Sequence, residues 1–178
     1  MNEIKLFFQV TKLYSNYFKH DLTPLKLQKL AYYCYGFALA YDFENEVNGI
    51  EFEAWKYGPV NRKLHEALSN SNNPYYIVET SHPVFNQISK IGNFYSENLY
   101  QLISAVVHVY GKLSPRGLVL EIQREKFDNY INPWKKTYNS ESVIKLIDNV
   151  DIKIFFKNKL VRDPDSCKKR TSLKINQF

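Results

Sequence analysis

The sequence contains few of the residues on which many functional sites depend. Of its two cysteines, Cys34 lies in an apolar stretch and Cys167 in a distant basic one, so neither a disulfide framework nor a paired-cysteine metal site is predicted. Six glycines leave little material for a phosphate-binding loop, and the common hydrolase and metal-binding motifs are missing. We therefore predict no cofactor, no metal site and no catalytic residue, in a protein of the reducing cytoplasm.

A long hydrophobic run is missing as well. The longest apolar stretch, residues 30–41, is well short of the ~20 residues that span a bilayer. The N-terminus carries Glu3 and Lys5 where an export signal would need an uninterrupted apolar segment. The sequence thus predicts neither a membrane span nor a membrane partner.

The net charge of +6 is unevenly distributed. Residues 151–178 carry nearly all of it, which leaves the rest of the chain almost neutral. A basic segment attracts nucleic acid or an acidic protein, but an ordinary solvated chain end has the same composition. We predict one domain over residues 1–160 and a basic, flexible tail over residues 161–178. Nucleic-acid binding by this tail is the weaker functional alternative.

Apolar residues make up 44% of the chain and aromatic residues 16%, which is enough material for one hydrophobic core. Helical periodicity, supported by the cap-plus-proline pairs Thr23-Pro24 and Ser114-Pro115, predicts a mainly helical chain. The predicted helices cover residues 2–19, 24–41, 59–68, 97–110 and 115–125, with one or two more after residue 140.

The predicted helix over residues 24–41 is apolar on all its faces, which is typical of a central helix surrounded by other elements. Only its first turns carry polar side chains, those of Lys26, Gln28 and Lys29. We expect these side chains to be free to meet solvent or a partner.

Residues 50–55 alternate apolar and polar side chains, which predicts a short strand with one buried face. Residues 75–79 are rich in aromatic and β-branched side chains and are the predicted partner strand. Together with the helices, these strands predict an α+β fold, mainly α-helical, in which a compact helical domain carries a small antiparallel β-sheet.

The four histidines have plain interpretations as surface residues. They are His20, His65, His82 and His108. An unrecognised enzyme built on His65, Glu66 and the nearby Trp55 remains as a third functional hypothesis.

The segment Trp55-Lys56-Tyr57-Gly58-Pro59-Val60 is a dense aromatic turn that leaves the predicted strand and enters the next helix. In one interpretation Trp55 packs in the core and Gly58 supplies a backbone conformation that other residues avoid. In the other, Trp55 or Tyr57 lines an exposed groove together with Lys56, since large aromatic residues anchor protein interfaces. Pro133-Trp134 presents a second corner with the same two interpretations.

Two segments of the chain resemble the Panacea domain of SocA-like and GepA-like antitoxins. They are Leu25-Lys26-Leu27-Gln28-Lys29-Leu30-Ala31-Tyr32-Tyr33 and Phe52-Glu53-Ala54-Trp55-Lys56-Tyr57-Gly58-Pro59-Val60, followed in order by Tyr110-Gly111-Lys112-Leu113-Ser114, Leu118 and Pro133-Trp134. The spacing of the first two segments is the specific feature. The resemblance covers roughly residues 1–157.

This resemblance implies an antitoxin that binds and neutralises a toxin encoded by an adjacent gene. In the SocA-like case it also implies an adaptor that delivers the toxin to a Clp protease, and neither role requires catalysis. From the residues themselves, the candidate partner contacts are Lys26, Lys29, Trp55, Lys56, Tyr57 and Trp134. The candidate structural positions are Gly58, Pro59, Val60 and Pro133.

Overall fold

The computed structural model describes residues 2–18, 21–69, 76–90, 92, 94–125 and 130–162. These residues form eight α-helices and a small two-stranded antiparallel sheet, which confirms the predicted fold class. The predicted flexible tail lies outside the described residues from residue 163 onwards, as do Cys167, His20 and Tyr75. Within the described part of the chain, no helix combines the length and apolar character needed to cross a membrane.

Helix α2 (Pro24–Ala40) is the centre of the fold, as its sequence predicts. Thr23 caps the helix by accepting a hydrogen bond from the backbone N–H of Lys26, and Pro24 occupies the first turn, where no N–H is required. Almost every later residue of α2 is buried. An all-round apolar helix is buried because other elements cover each of its faces.

Four longer helices surround α2, and α3 (Glu44–Val47) is a short turn after it. The four are α1 (Asn2–Tyr17), α5 (Glu97–Tyr110), α6 (Pro115–Arg124) and α8 (Asn149–Arg162). Ser96 and Ser114 cap α5 and α6 as predicted. Helix α8 packs tightly on α2 because Phe156 fills the space that a side chain at Gly36 would occupy.

The sheet forms from a different pair of segments than the sequence predicts. Strand β1 (Glu53–Trp55) pairs with β2 (Gly58–Val60), and Trp55 lies opposite Gly58. Residues 76–79 form no strand; instead the Val78 N–H donates to the Leu22 carbonyl. The chain can turn back directly after β1 because Gly58 has a φ of 97°, which residues with a side chain rarely adopt.

Helix α4 (Arg62–Leu68) begins later than predicted, because residues 58–60 belong to β2 rather than to the helix. The helix begins after Asn61, whose side-chain oxygen accepts the Leu64 N–H at 2.9 Å. Proline is tolerated in β2 since this strand lies at an edge of the sheet.

Residues 145–147 occupy the other side of β1. Leu146 forms an antiparallel bridge to Glu53, with hydrogen bonds from Ala54 N to the Lys145 carbonyl (2.7 Å) and from Ile147 N to the Phe52 carbonyl (2.8 Å). The sequence predicts helical structure from about residue 143, and this is wrong at that point, since α8 starts at Asn149. The remaining helix, α7 (Pro133–Tyr138), is not predicted from periodicity because it is so short.

Candidate partner-binding site

The two segments that carry the family resemblance bind each other directly. The Gln28 side chain accepts a hydrogen bond from Asn61 N (2.9 Å) and donates one to the Asn61 carbonyl (3.1 Å). The Asn61 amide in turn donates to the Glu51 carbonyl at 2.9 Å. These bonds satisfy backbone groups at the end of β2, so α2 fixes the position of the hairpin β1–β2.

Lys29 lies beneath the same hairpin. Its side chain is fully buried, and Nζ donates a hydrogen bond to the Pro59 carbonyl at 2.7 Å. A Cβ at Gly58 would lie 3.2 Å from Lys29 Cε. Glycine is therefore required here both by the positive φ and by the passage of the lysine stem. Burial lowers the pKa of the Lys29 amine to about 7, since a buried ammonium loses its hydration.

Lys26 is buried on another side of α2. Its amine donates to the Tyr14 hydroxyl and lies 3.4 Å from the Asp21 carboxylate. Burial first, and then the hydrogen bond to Asp21, raise the pKa of Tyr14 well above its usual range. This cluster joins α1 to the start of α2.

The expectation that Lys26, Gln28 and Lys29 are free to meet solvent is therefore wrong. All three are at most 4% exposed. Their long side chains remain among apolar neighbours because each ends on a hydrogen-bond partner. The hydrogen bonds of these three side chains hold α1 and the hairpin to α2.

Trp55 lies half-buried on the outer side of the hairpin. Its indole N–H donates to Glu53 at 2.8 Å, and Glu53 receives two hydrogen bonds from the Arg62 guanidinium, both of 2.7 Å. The guanidinium also lies over the indole, 5.6 Å from the centroid of the Trp55 ring, and His65 meets the ring edge-on. Arg62 holds the pKa of Glu53 below its usual range. The indole is thus fixed by its neighbours while part of its surface remains accessible.

Lys56 and Tyr57 form the turn of the hairpin and are both exposed. Tyr57 is 60% exposed, and the Lys56 ammonium lies 5.5 Å from the centroid of its ring. The Lys56 carbonyl accepts a hydrogen bond from Gln123 of α6 at 3.3 Å. The backbone of the turn is therefore supported from below, whereas its two side chains face outward.

Trp134 belongs to the support of the hairpin. It is 6% exposed, stacks on Tyr138, and donates its indole N–H to the Trp55 carbonyl at 2.9 Å. Pro133 opens α7 after the cap residue Asn132, and this cap also binds the Ile122 carbonyl of α6 at 2.6 Å. The structure thus brings the two aromatic corners of the sequence together and buries the second one.

The residues of the enzyme hypothesis show no acid–base pair. His65 and Glu66 are both exposed, and among the described residues no hydrogen bond or ion pair links them. Across the part of the chain that the structure describes, no three or more histidine, cysteine, aspartate or glutamate side chains lie together in a way that could hold a metal ion.

Comparison with known families decides the classification. The family model described as antitoxin SocA-like, Panacea domain, matches residues 27–153. The chain belongs to this antitoxin family. No curated protein and no solved structure gave a match.

Within this Panacea domain, the matched region includes both segments that bind each other and the residues that support them. Sequence reasoning missed Asn61 and Gln123 as parts of this site. Asn61 follows the Gly-Pro-Val segment directly and has the side chain of a helix cap, so its capping role was recognisable. No sequence signal indicates that Gln123 reaches the hairpin turn.

Proposed function

We propose that this protein neutralises a cognate toxin by direct protein–protein contact in the cytoplasm, without catalysis, and that the turn of the hairpin is part of the contact surface. Membership of the antitoxin family supports the general role. One structural observation supports the location: Tyr57 is the large aromatic side chain exposed at the tip of a hairpin whose backbone is held on several sides.

A rigid exposed aromatic residue is well suited to this task. Tyrosine and tryptophan dominate the energetics of protein interfaces. A contact residue on a fixed backbone loses little conformational entropy on binding, so more of the interaction energy appears as affinity. In this proposal Tyr57, Lys56 and the accessible part of Trp55 contact the toxin. The buried residues Lys29 and Trp134 act indirectly, by holding the contact surface in place, and Lys26 holds α1 to α2.

Co-expression with the product of the adjacent gene tests the proposal. We expect that product to arrest growth when expressed alone and to be harmless in the presence of this protein. A double variant, Lys56→Glu with Tyr57→Ala, should no longer rescue growth. The matched control is Tyr41→Ala, which removes an aromatic ring that is 43% exposed after α2 and should rescue as well as the unmodified protein.

Two results would contradict the proposal. The first is an adjacent gene product that is harmless alone or arrests growth equally with and without this protein. The second is full rescue by the double variant, which would leave neutralisation possible but remove the hairpin turn from the contact surface.

We also propose that the complex is a substrate of a Clp protease, with this protein as the adaptor. This step is supported by the family resemblance to SocA-like antitoxins. The lifetime of the toxin, followed after synthesis is stopped, should lengthen in cells that lack the Clp protease. An unchanged lifetime would mean that binding alone neutralises the toxin.

A further inference from the structure

Exposed apolar side chains are concentrated in one stretch of the chain. Half of the large apolar residues that are exposed in the described chain fall within residues 138–154, and they are Tyr138, Val143, Ile144, Leu146, Val150 and Ile154. Val143 is 96% exposed and Ile144 75%. A concentration of this kind marks a surface that another molecule covers. We call Val143, Ile144 and Leu146 the apolar edge.

The apolar edge is also an open strand edge. Leu146 and Glu53 form a pair whose flanking hydrogen bonds come from Ala54 and Ile147. In this antiparallel arrangement the two paired residues do not bond to each other. The N–H and C=O of Leu146 therefore point away from β1. Among the described residues no strand pairs with that side, so these two groups can accept a further strand.

The apolar edge continues the surface of the hairpin. Directly paired residues lie on the same face of a sheet, so Leu146 shares a face with Glu53. Trp55 lies two residues further along β1 and projects from that face as well. A partner that contacts Trp55 and Tyr57 therefore lies next to the open edge.

Charge indicates which kind of segment fits the edge. Glu141 and Asp148 bracket it, both are exposed, and neither forms an ion pair within the described part of the chain. Lys136 pairs with Asp151. Lys145 lies between Ile144 and Leu146, but side chains alternate along an extended segment, so it projects to the opposite face, where its amine donates to the carbonyls of Tyr138 (3.3 Å) and Ser140 (2.5 Å). The edge is therefore apolar on the face of Ile144 and Leu146, with an acidic residue beyond each end.

These charges disfavour a second copy of the chain. Two copies paired edge to edge would bring their acidic ends onto one interface, where like charges repel. A segment with apolar residues in its centre and basic residues on its flanks complements the edge in both respects.

We propose that the apolar edge binds an extended segment of the toxin, with alternating apolar residues and basic flanks, which adds to the sheet beside residues 145–147. The inference rests on the proposed function, since it names the binding mode of the same partner. Main-chain hydrogen bonds to Leu146 supply affinity, and the apolar and acidic side chains select the sequence.

Binding of an inactivated form of the adjacent gene product to purified variants tests this inference. Leu146→Lys places a charge on the edge and should weaken binding by about tenfold or more. Leu146→Val keeps an apolar residue at the edge, now a β-branched one that suits a strand, and should bind within about threefold of the unmodified protein. Ile77→Lys is the control, because Ile77 is a comparably exposed aliphatic residue, 37% against 43%, in the loop that bonds to Leu22 rather than to the sheet.

Amide hydrogen exchange adds a readout that side-chain contact alone would not change. The Leu146 N–H should exchange slowly in the complex and rapidly in the free protein, while the Ile147 N–H, which already bonds to Phe52, should be protected in both. Thermal unfolding of each variant shows whether it is folded.

The outcomes separate this inference from the proposed function. If the unmodified protein does not bind the adjacent gene product, the proposed function fails and this inference fails with it. If it binds, and a folded Leu146→Lys variant binds equally well with no protection of the Leu146 amide, the inference alone fails. Dimerisation of the free protein that is lost in Leu146→Lys would assign the edge to a second copy and would also overturn it.

Discussion

The inner and outer sides of the hairpin differ sharply, although they come from one short segment of the sequence. On the inner side Gly58, Pro59 and Asn61 are buried, Pro59 and Asn61 are hydrogen-bonded to α2, and Gly58 packs against the Lys29 side chain. On the outer side Lys56 and Tyr57 are exposed, and their side chains contact little besides each other. One motif therefore serves two purposes: the inner half maintains the fold and the outer half is available to a partner.

On the inner half, the largest loss of stability should come from a substitution at Gly58. Gly58→Ala places a Cβ in a positive-φ conformation and against the Lys29 stem, and should lower the free energy of unfolding by about 3 kcal/mol. Urea denaturation measures this value. Gly49→Ala is the matched control, since Gly49 has a φ of 72° with no atom within 4 Å, so it should cost about 1 kcal/mol from strain alone. Equal losses at both positions would show that Lys29 does not restrict Gly58.

Removing the Gln28 side chain should have the next largest effect. Gln28→Ala leaves the Asn61 N–H without a partner in a buried position, while the Asn61 carbonyl keeps the hydrogen bond from the His65 N–H; the loss should cost about 2 kcal/mol. Gln123→Ala removes a single bond at the exposed turn and should change the free energy of unfolding by about 0.5 kcal/mol or less. Similar losses in the free energy of unfolding for Gln28→Ala and Gln123→Ala would contradict the distinction between the inner and outer sides of the hairpin.

The buried amine of Lys29 predicts a dependence of stability on pH. Its pKa is lowered in the folded protein to about 7 from an ordinary value of 10.5. Between these values the unfolded chain binds the extra proton, so the free energy of unfolding should rise with pH by up to about 1.4 kcal/mol per unit. Below pH 7 the contribution is constant. Lys29→Met should remove this rise, and an identical pH profile in both proteins would show that Lys29 is not buried as a neutral amine.

The smallest effect should come from the ion pair on the outer side. Arg62→Ala removes the two hydrogen bonds that Glu53 receives from the guanidinium, so the pKa of Glu53 should rise towards its usual value. A titration followed by NMR measures this shift. The free energy of unfolding should change little, because Arg62 is exposed and solvent screens the pair. A large loss of stability would place the ion pair among the supports of the hairpin.

The sequence predicts the helices well and the hairpin poorly, for identifiable physical reasons. Caps and prolines at Thr23-Pro24 and Ser114-Pro115 are local signals, and the structure confirms both helix starts. The pairing of β1 with residues 145–147 depends on contacts between distant parts of the chain, which periodicity does not report. Local sequence rules predict a turn at Gly58-Pro59. These residues form a strand instead, because Lys29 bonds to Pro59 and Gln28 bonds to the adjacent Asn61.

The candidate site follows the same division. The aromatic turn and its family resemblance are visible in the sequence, whereas the exposure of each side chain is not. The sequence alone predicts Lys29 at the surface, because lysine is rarely buried without a partner charge. Its burial depends on the carbonyl of Pro59, and no sequence pattern reports that contact.

The affinity of the Tyr57→Ala variant for the purified toxin, measured by calorimetry beside its urea denaturation, decides whether the exposed half of the hairpin binds the toxin without maintaining the fold. We predict binding weakened by about tenfold or more with a free energy of unfolding within about 0.5 kcal/mol of the unmodified protein. Unchanged affinity in a folded Tyr57→Ala variant would contradict the division of the hairpin into a structural half and a binding half.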